Sequence, residues 1–275
     1  MQIDAAANRE YARGLARAFG GALLFAFPLL MTMEMWELGA AVDRPRLLIF
    51  LLASLPLLLG LSYFAGFEAT FRLKDEVLDA FAALGVGILL SAAALAVFGV
   101  LDADHGLEET VGKIALCAVP GAMGALLAGK QLEDRAVTEA WPKADGGYAG
   151  ELFVMLVGAV YLAFNVAPTE EMTLIAHKMS PHQALALIAA SLAILHLIVY
   201  RLGFPGEGSR LRRGGFAGTF LAFTAPGYAI AIAISLYALW TFGRLDGTSL
   251  SAAAAMTAVL AFPAALGCAT ARLVI

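Results

Sequence analysis

The chain has 275 residues, of which 61% are hydrophobic and only 15% charged, and its mean hydropathy is +0.81. That is far more apolar surface than one water-soluble core buries, so the expectation is a polytopic membrane protein. The formal net charge of −4, with no basic stripe or groove-reading motif, argues against nucleic acid as a partner.

Residues 1–18 carry Arg9, Arg13 and Arg17 and no uninterrupted apolar stretch before Gly20. They are expected to form a cytoplasmic interfacial helix with Asp4 as its N-cap, not a cleavable signal peptide. Taking about 20 apolar residues per crossing, spans follow at 19–41, 46–66, 80–101, 110–128, 150–175, 183–203, 217–242 and 248–271. Between the second and third, residues 67–79 alternate Phe67, Phe71 and Val77 with Glu68, Arg72, Lys74, Asp75 and Glu76, the pattern of a helix lying on the membrane surface. A charged cytoplasmic linker, 129–149, separates a first four-helix unit, 19–128, from a second, 150–275. Two cysteines, Cys117 and Cys268, sit in apolar segments without CxxC or Cys/His spacing, which indicates buried thiols and neither a disulfide framework nor a zinc site.

The two units are copies. Residues 21–67 align without a gap on 158–204, with 15 identities in 47 columns. Leu and Ala match easily in such spans, but Thr32/Thr169, Glu34/Glu171, Met35/Met172 and Tyr63/Tyr200 are less easily matched by chance. Further along, "FGVLD" at 98–102 faces "FGRLD" at 242–246, and the segment Pro120 to Gly124 faces Pro263 to Gly267. The predicted fold is therefore all-α, with eight transmembrane helices in two four-helix repeats. Lys and Arg number 13 on the side of the N-terminus and 5 on the other, so both termini are expected to be cytoplasmic. With an even number of crossings per unit, the repeats are expected to be parallel, with Glu34 and Glu171 at equal depth facing a common axis.

A carboxylate within a span costs at least about 2.5–3.5 kcal/mol, which makes Glu34 and Glu171 functional candidates by default. Pro28 and Pro168 precede them closely and predict a bent or opened helix beside each acid. Carbonyls freed there, with Thr32 and Thr169, would make a hard-cation environment. Glu37 lies one turn beyond Glu34, and Glu170 takes the place of Met33. The second copy is the more polar, with Asn165 at the place of Pro28 and His196 at that of Leu59, two further candidates for lining a path. A structural reading stands beside the functional one, in which Glu171 pairs with Lys178, His196 is an interior hydrogen-bonded histidine and Asn165 joins helices. His177 is a solvated loop histidine or a pH sensor, and Trp36, Tyr63 and Tyr200 fit interfacial aromatic belts. On the side opposite the N-terminus, loop acids Asp43, Asp102, Asp104, Glu108, Glu109 and Asp246 bring the total to ten acids against five bases, an excess that would concentrate cations. Small residues at Gly85-x-Gly87, Gly121-x-x-Gly124 and Pro263-Ala264-Ala265-x-Gly267 mark close helix packing, within the chain or in a homo-oligomer.

With its duplicated four-helix unit and the segments "TMEMWELG" and "PTEEMTLIA", the chain resembles a family of bacterial integral membrane proteins for which no activity is assigned. The resemblance implies the membrane fold and no mechanism. The four-plus-four plan also differs from the five-plus-five inverted halves of calcium/cation antiporters, so their mechanism does not transfer. The functional expectation is a bacterial inner-membrane protein, in contact with lipid, that moves an inorganic cation. Ca2+ leads on ligand hardness, Glu34 and Glu171 contact the metal, and channel and cation/proton exchanger both stay open. No resident cofactor is expected. HExxH, a P-loop and GxSxG in a strand-to-helix turn are all missing, so no enzyme activity is expected. The alternatives are a sensor or assembly protein with structural glutamates and, further off, an intramembrane enzyme.

Overall fold

A computed structural model describes residues 5–65, 73–101, 106–131, 147–202 and 215–271, with side chains over 14–64, 73–101, 106–127, 147–201 and 215–271. The chain divides into two compact units, Met1–Ala144 and Asp145–Val274, and among the described residues every regular element is helical. In the first unit these are α1 (Ala5–Leu30), α2 (Met33–Ala41), α3 (Arg44–Ala65), α4 (Leu73–Val97) and α5 (Leu107–Gln131). In the second they are α6 (Gly147–Val166), α7 (Glu170–Lys178), α8 (Pro181–Leu202), α9 (Gly215–Thr241) and α10 (Leu250–Thr270). The order of long and short helices is the same in both units, as the sequence repeat requires. Seven of the described helices are long and apolar enough to cross a membrane, or eight if the bent pair Gly14–Leu30 and Met33–Ala41 is counted as one span.

Several boundaries differ from expectation. The spans expected at 19–41 and 150–175 are each broken into a long helix and a nine-residue helix. The N-terminal segment is no separate surface helix, because α1 runs without interruption from Ala5. Residues 73–79, read from their alternating charge as a surface helix, are instead the first two turns of α4, where Glu76 is buried and accepts a 2.7 Å hydrogen bond from Ser62 Oγ. One of the charges in that alternation is thus turned inward and not toward solvent. Residues 66–72, most of the linker (132–146), Asp102, Asp104 and the C-terminal Arg272 lie outside the described residues.

The last helix of each unit is its core. α5 packs against α1, α2, α3 and α4, and α10 against α6, α7, α8 and α9. In lipid the hydrophobic effect does not press helices together, so small residues that allow close approach decide such contacts. The decisive pair is the same in both units. A Cβ on Gly124 would meet the Gly21 carbonyl oxygen, and one on Gly267 would meet that of the matching Gly158. The small-residue motifs thus serve packing within each unit, while Gly85 faces open space. Cys117 and Cys268 are free and buried, as expected.

Helix ends follow local chemistry. α4 and α9 both stop in a Schellman turn, with Gly99 at φ 71° and Gly243 at φ 67°. The next residue's N–H reaches back to Leu95 or Leu239, in each case at 2.9 Å. This explains why "FGVLD" matches "FGRLD": the turn needs its glycine, and it fixes where Val100 and Arg244 start. α8 begins with a Ser180/Gln183 capping box, and Ser249 caps α10 through the Ala252 N–H.

Within α9, Phe220–Thr224 forms one π turn. Pro226, six residues on, has no N–H to offer the Ala222 carbonyl, and the Tyr148 hydroxyl donates to it instead at 2.8 Å. The glycine argument is testable by thermal unfolding in detergent. Gly124→Ala is expected to cost about 1–3 kcal/mol by forcing two backbones apart, and Gly267→Ala likewise, whereas Gly85→Ala should be neutral or gain up to about 1 kcal/mol from helix propensity.

Candidate functional site

In each unit the chemistry gathers where the first helix breaks. In the first unit the axis turns by 84° between Gly14–Leu30 and Met33–Ala41. Thr32, at φ −97° and ψ 115°, leaves the helical region. Its hydroxyl donates to the Pro28 carbonyl at 2.6 Å, which an uninterrupted helix would pair with the Thr32 N–H. The N–H turns to Leu29 at 3.1 Å, and the Trp36 indole N–H caps the Leu30 carbonyl at 2.8 Å. In the second unit Ala167 precedes Pro168, a position unfavourable to helix, and α6 ends at Val166. Thr169 donates its hydroxyl to Val166 at 2.8 Å, Asn165 Nδ2 donates to Tyr161 at 2.7 Å, and the Arg244 guanidinium donates to the Pro168 carbonyl. The expected breaks are present, but carbonyls expected to be open to a cation already accept hydrogen bonds from the protein.

Glu34 and Glu171 each occupy the first turn of the short helix beyond the break. Nine residues span only about 13.5 Å, under half of an apolar layer of roughly 30 Å. Neither acid is therefore on a straight spanning helix: Glu34 is half-buried, and Glu171, Glu170 and Glu37 are exposed. The unpaired N–H groups at such an end interact favourably with a carboxylate. Among the described residues no ion pair joins Glu171 to Lys178, and no group of three or more His, Cys, Asp or Glu side chains is placed to hold a metal ion. His177 Nδ1 lies 2.8 Å from the Thr173 carbonyl at the exposed end of α7.

The first unit carries a cleft of about 560 Å3 at its break, lined among others by Trp36, Glu37, Phe98, Val100, Glu109 and Lys113. Glycines make room for it: Gly39 and Gly112 bring α2 down onto the backbone of α5. Lys113 is buried, pairs with Glu109 at 2.5 Å, and donates to the Val100 carbonyl at 3.4 Å. Arg44 holds Glu108 at 2.9 Å in an exposed setting that contributes little stability, and the mostly buried Arg46 holds the exposed Asp43 at 3.6 Å. Trp36, expected in an aromatic belt, instead caps the break and forms a cleft wall. Tyr63 and Tyr200 are exposed, as a belt requires.

His196 lies against α9 and not at the break. It is buried, with Nδ1 2.7 Å from Thr224 Oγ1 in the π turn, and Phe216, Phe220 and Tyr200 surround its ring. It joins α8 to α9, as Ser62 and Glu76 join α3 to α4 in the first unit. Sequence reasoning missed Lys113 and Arg244. The available signal was the single mismatch in "FGVLD" and "FGRLD", which puts a cation in the second unit where the first has Val100.

Helices of this length and apolarity define an all-α, multi-pass integral membrane protein. The chain belongs to the family described as "Putative integral membrane protein (DUF2391)", whose model matches residues 14–275. Comparison with curated proteins and with solved structures gives no match.

Two stability measurements check these assignments. Lys113→Met, which copies Met256 of the second unit, removes the Lys113–Glu109 ion pair and is expected to cost about 2 kcal/mol, less than the roughly 3–5 of a fully buried pair because Glu109 is 30% exposed. The double variant Glu109→Ala/Lys113→Met, matching Ala252 and Met256, should recover most of that loss. His196→Leu should cost about 1–2 kcal/mol by leaving Thr224 without its partner, and adding Thr224→Val should restore part of it.

Proposed function

We propose that the protein passes small cations across the bacterial inner membrane, with Glu34 and Glu171 as the carboxylates that meet the ion. The observation that carries this reading is the repeated break. Both units stop the first helix at the same place, turn on a threonine, and start a short helix with a glutamate in its first turn. Neither of these glutamates is held in an ion pair among the described residues. Among the described residues around the first unit's break, Arg44, Arg46 and Lys113 pair with Glu108, Asp43 and Glu109, and neither Glu34 nor Glu37 is in an ion pair. Such carboxylates raise the local concentration of cations.

A Ca2+ ion stripped of water takes six to eight oxygens. With the break carbonyls already hydrogen-bonded, the reading is of a hydrated or partly hydrated ion in passing contact. Channel and cation/proton exchanger both fit such a contact, with Ca2+ the first ion to test. Asn165, Thr32, Thr169 and Glu170 stand beside the two acids in this reading, which assigns no reaction, no resident cofactor and cytoplasmic termini. First-turn placement favours one second reading, in which the glutamates stabilise the short helices in a sensor or assembly protein.

Flux into proteoliposomes, measured for Ca2+, Mg2+, K+ and Na+ with and without a pH gradient, separates the two. Glu34→Gln and Glu171→Gln are each expected to lower flux about tenfold or more, the effect of losing roughly 1.4 kcal/mol of ion contact. A dependence on the proton gradient would indicate exchange. Unchanged flux in both folded variants would overturn the transport role and leave the structural one.

A further inference from the structure

We propose that the cleft of the first unit binds an organic cation, an ammonium or guanidinium group carrying a small apolar body. This goes beyond the transport reading and concerns Trp36 and Glu37, not the Glu34/Glu171 pair. At about 560 Å3 the cleft falls within the roughly 300–1,000 Å3 of small-molecule sites. Its walls are mainly apolar, with Trp36 and Phe98 supplying rings. The Trp36 N–H is committed to the Leu30 carbonyl at 2.8 Å, which fixes the indole and withdraws its donor from any ligand. Lys113 and Glu109 offset one another at 2.5 Å. The exposed Glu37 carboxylate is then the uncompensated charge, and the cleft carries one net negative charge.

Charge and wall chemistry together select the ligand class. A small inorganic ion keeps its water unless several oxygens replace it, and these walls supply few. An organic cation brings an apolar body that such walls can cover and a head that lies against an aromatic face and needs one counter-charge. The second unit supports this assignment. Its counterpart of Val100, a wall residue, is Arg244, delivered by the same glycine turn and bonded to the Pro168 carbonyl at the break. There the chain supplies an organic cation of its own, and the counterparts of Trp36, Glu37, Glu109 and Lys113 are Thr173, Leu174, Ala252 and Met256. The unit whose wall residue is Val100 and not a guanidinium is the one that has the aromatic and carboxylate walls.

The test is isothermal titration of the full chain in detergent micelles with phenylethylammonium, using neutral 2-phenylethanol and K+ as comparators. Saturable binding is expected for the ammonium only. It should weaken about tenfold or more in Glu37→Gln and vanish in Val100→Arg, which introduces the second unit's tethered cation. Equal binding of 2-phenylethanol would overturn the proposal in favour of a purely apolar cleft, and displacement by K+ at equal concentration would overturn it in favour of an inorganic site. Affinity unchanged in both variants, or no binding at all, would also overturn it. Should Glu37→Gln fail to fold, Val100→Arg with an unchanged melting temperature decides alone. Binding without flux would sink only the transport reading, whereas glutamate-dependent flux without binding would sink only this one.

Discussion

A helix that stops among apolar neighbours leaves its last carbonyls without partners, and each such group costs about 1–3 kcal/mol when buried. The break after the first helix of each unit sets this requirement, and the surrounding groups meet it. In the first unit the Thr32 hydroxyl and the Trp36 indole cover Pro28 and Leu30. In the second, Thr169 and Arg244 cover Val166 and Pro168. The short helix that follows must then rest on something. In the first unit it rests on α5, where Gly39 and Gly112 let backbone meet backbone.

That requirement also explains the core. A helix that touches every other element of its unit cannot carry bulky residues on all faces, and α5 and α10 are rich in Ala and Gly. Gly124 and Gly267 close on Gly21 and Gly158, so the first and last helices of each unit are held at backbone distance. The break end of the last helix then lies against the short helix. This is how Glu109 and Lys113, on the first turns of α5, reach the cleft beneath α2. Packing by small residues and placement of charge are therefore one arrangement.

Much of this could be read in the sequence, because the constraints that act on backbone leave fixed residue types behind. The repeat, the breaks near Pro28 and Pro168 and the glycine contacts all follow from such types. The terminal boundaries were harder. Arg9, Arg13 and Arg17 suggest a surface helix, but charge says nothing about where backbone hydrogen bonding pauses, and α1 continues through them. Residues 73–79 misled for a related reason: Glu76 was counted as solvated, yet Ser62 holds it inside. The roles of Trp36, Lys113 and Arg244 depend on which carbonyl lies within reach across 6 to 76 residues of chain. Periodicity carries no record of that.

Comparing the two copies sharpens the functional question. Where geometry demands a particular residue, as at Thr32/Thr169, Gly21/Gly158 and Gly99/Gly243, the copies agree. At other positions around the break they differ: Trp36 stands against Thr173, Glu37 against Leu174 and Val100 against Arg244. Even the matched glutamates have unlike surroundings, Glu34 half-buried and Glu171 exposed. A mechanism that used both units identically would not cover a break carbonyl with a guanidinium in one unit and with an indole in the other. The physical reading is therefore of a common scaffold whose two breaks are furnished differently, with an indole beside Glu37 in the first unit and a carbonyl-bound guanidinium in the second.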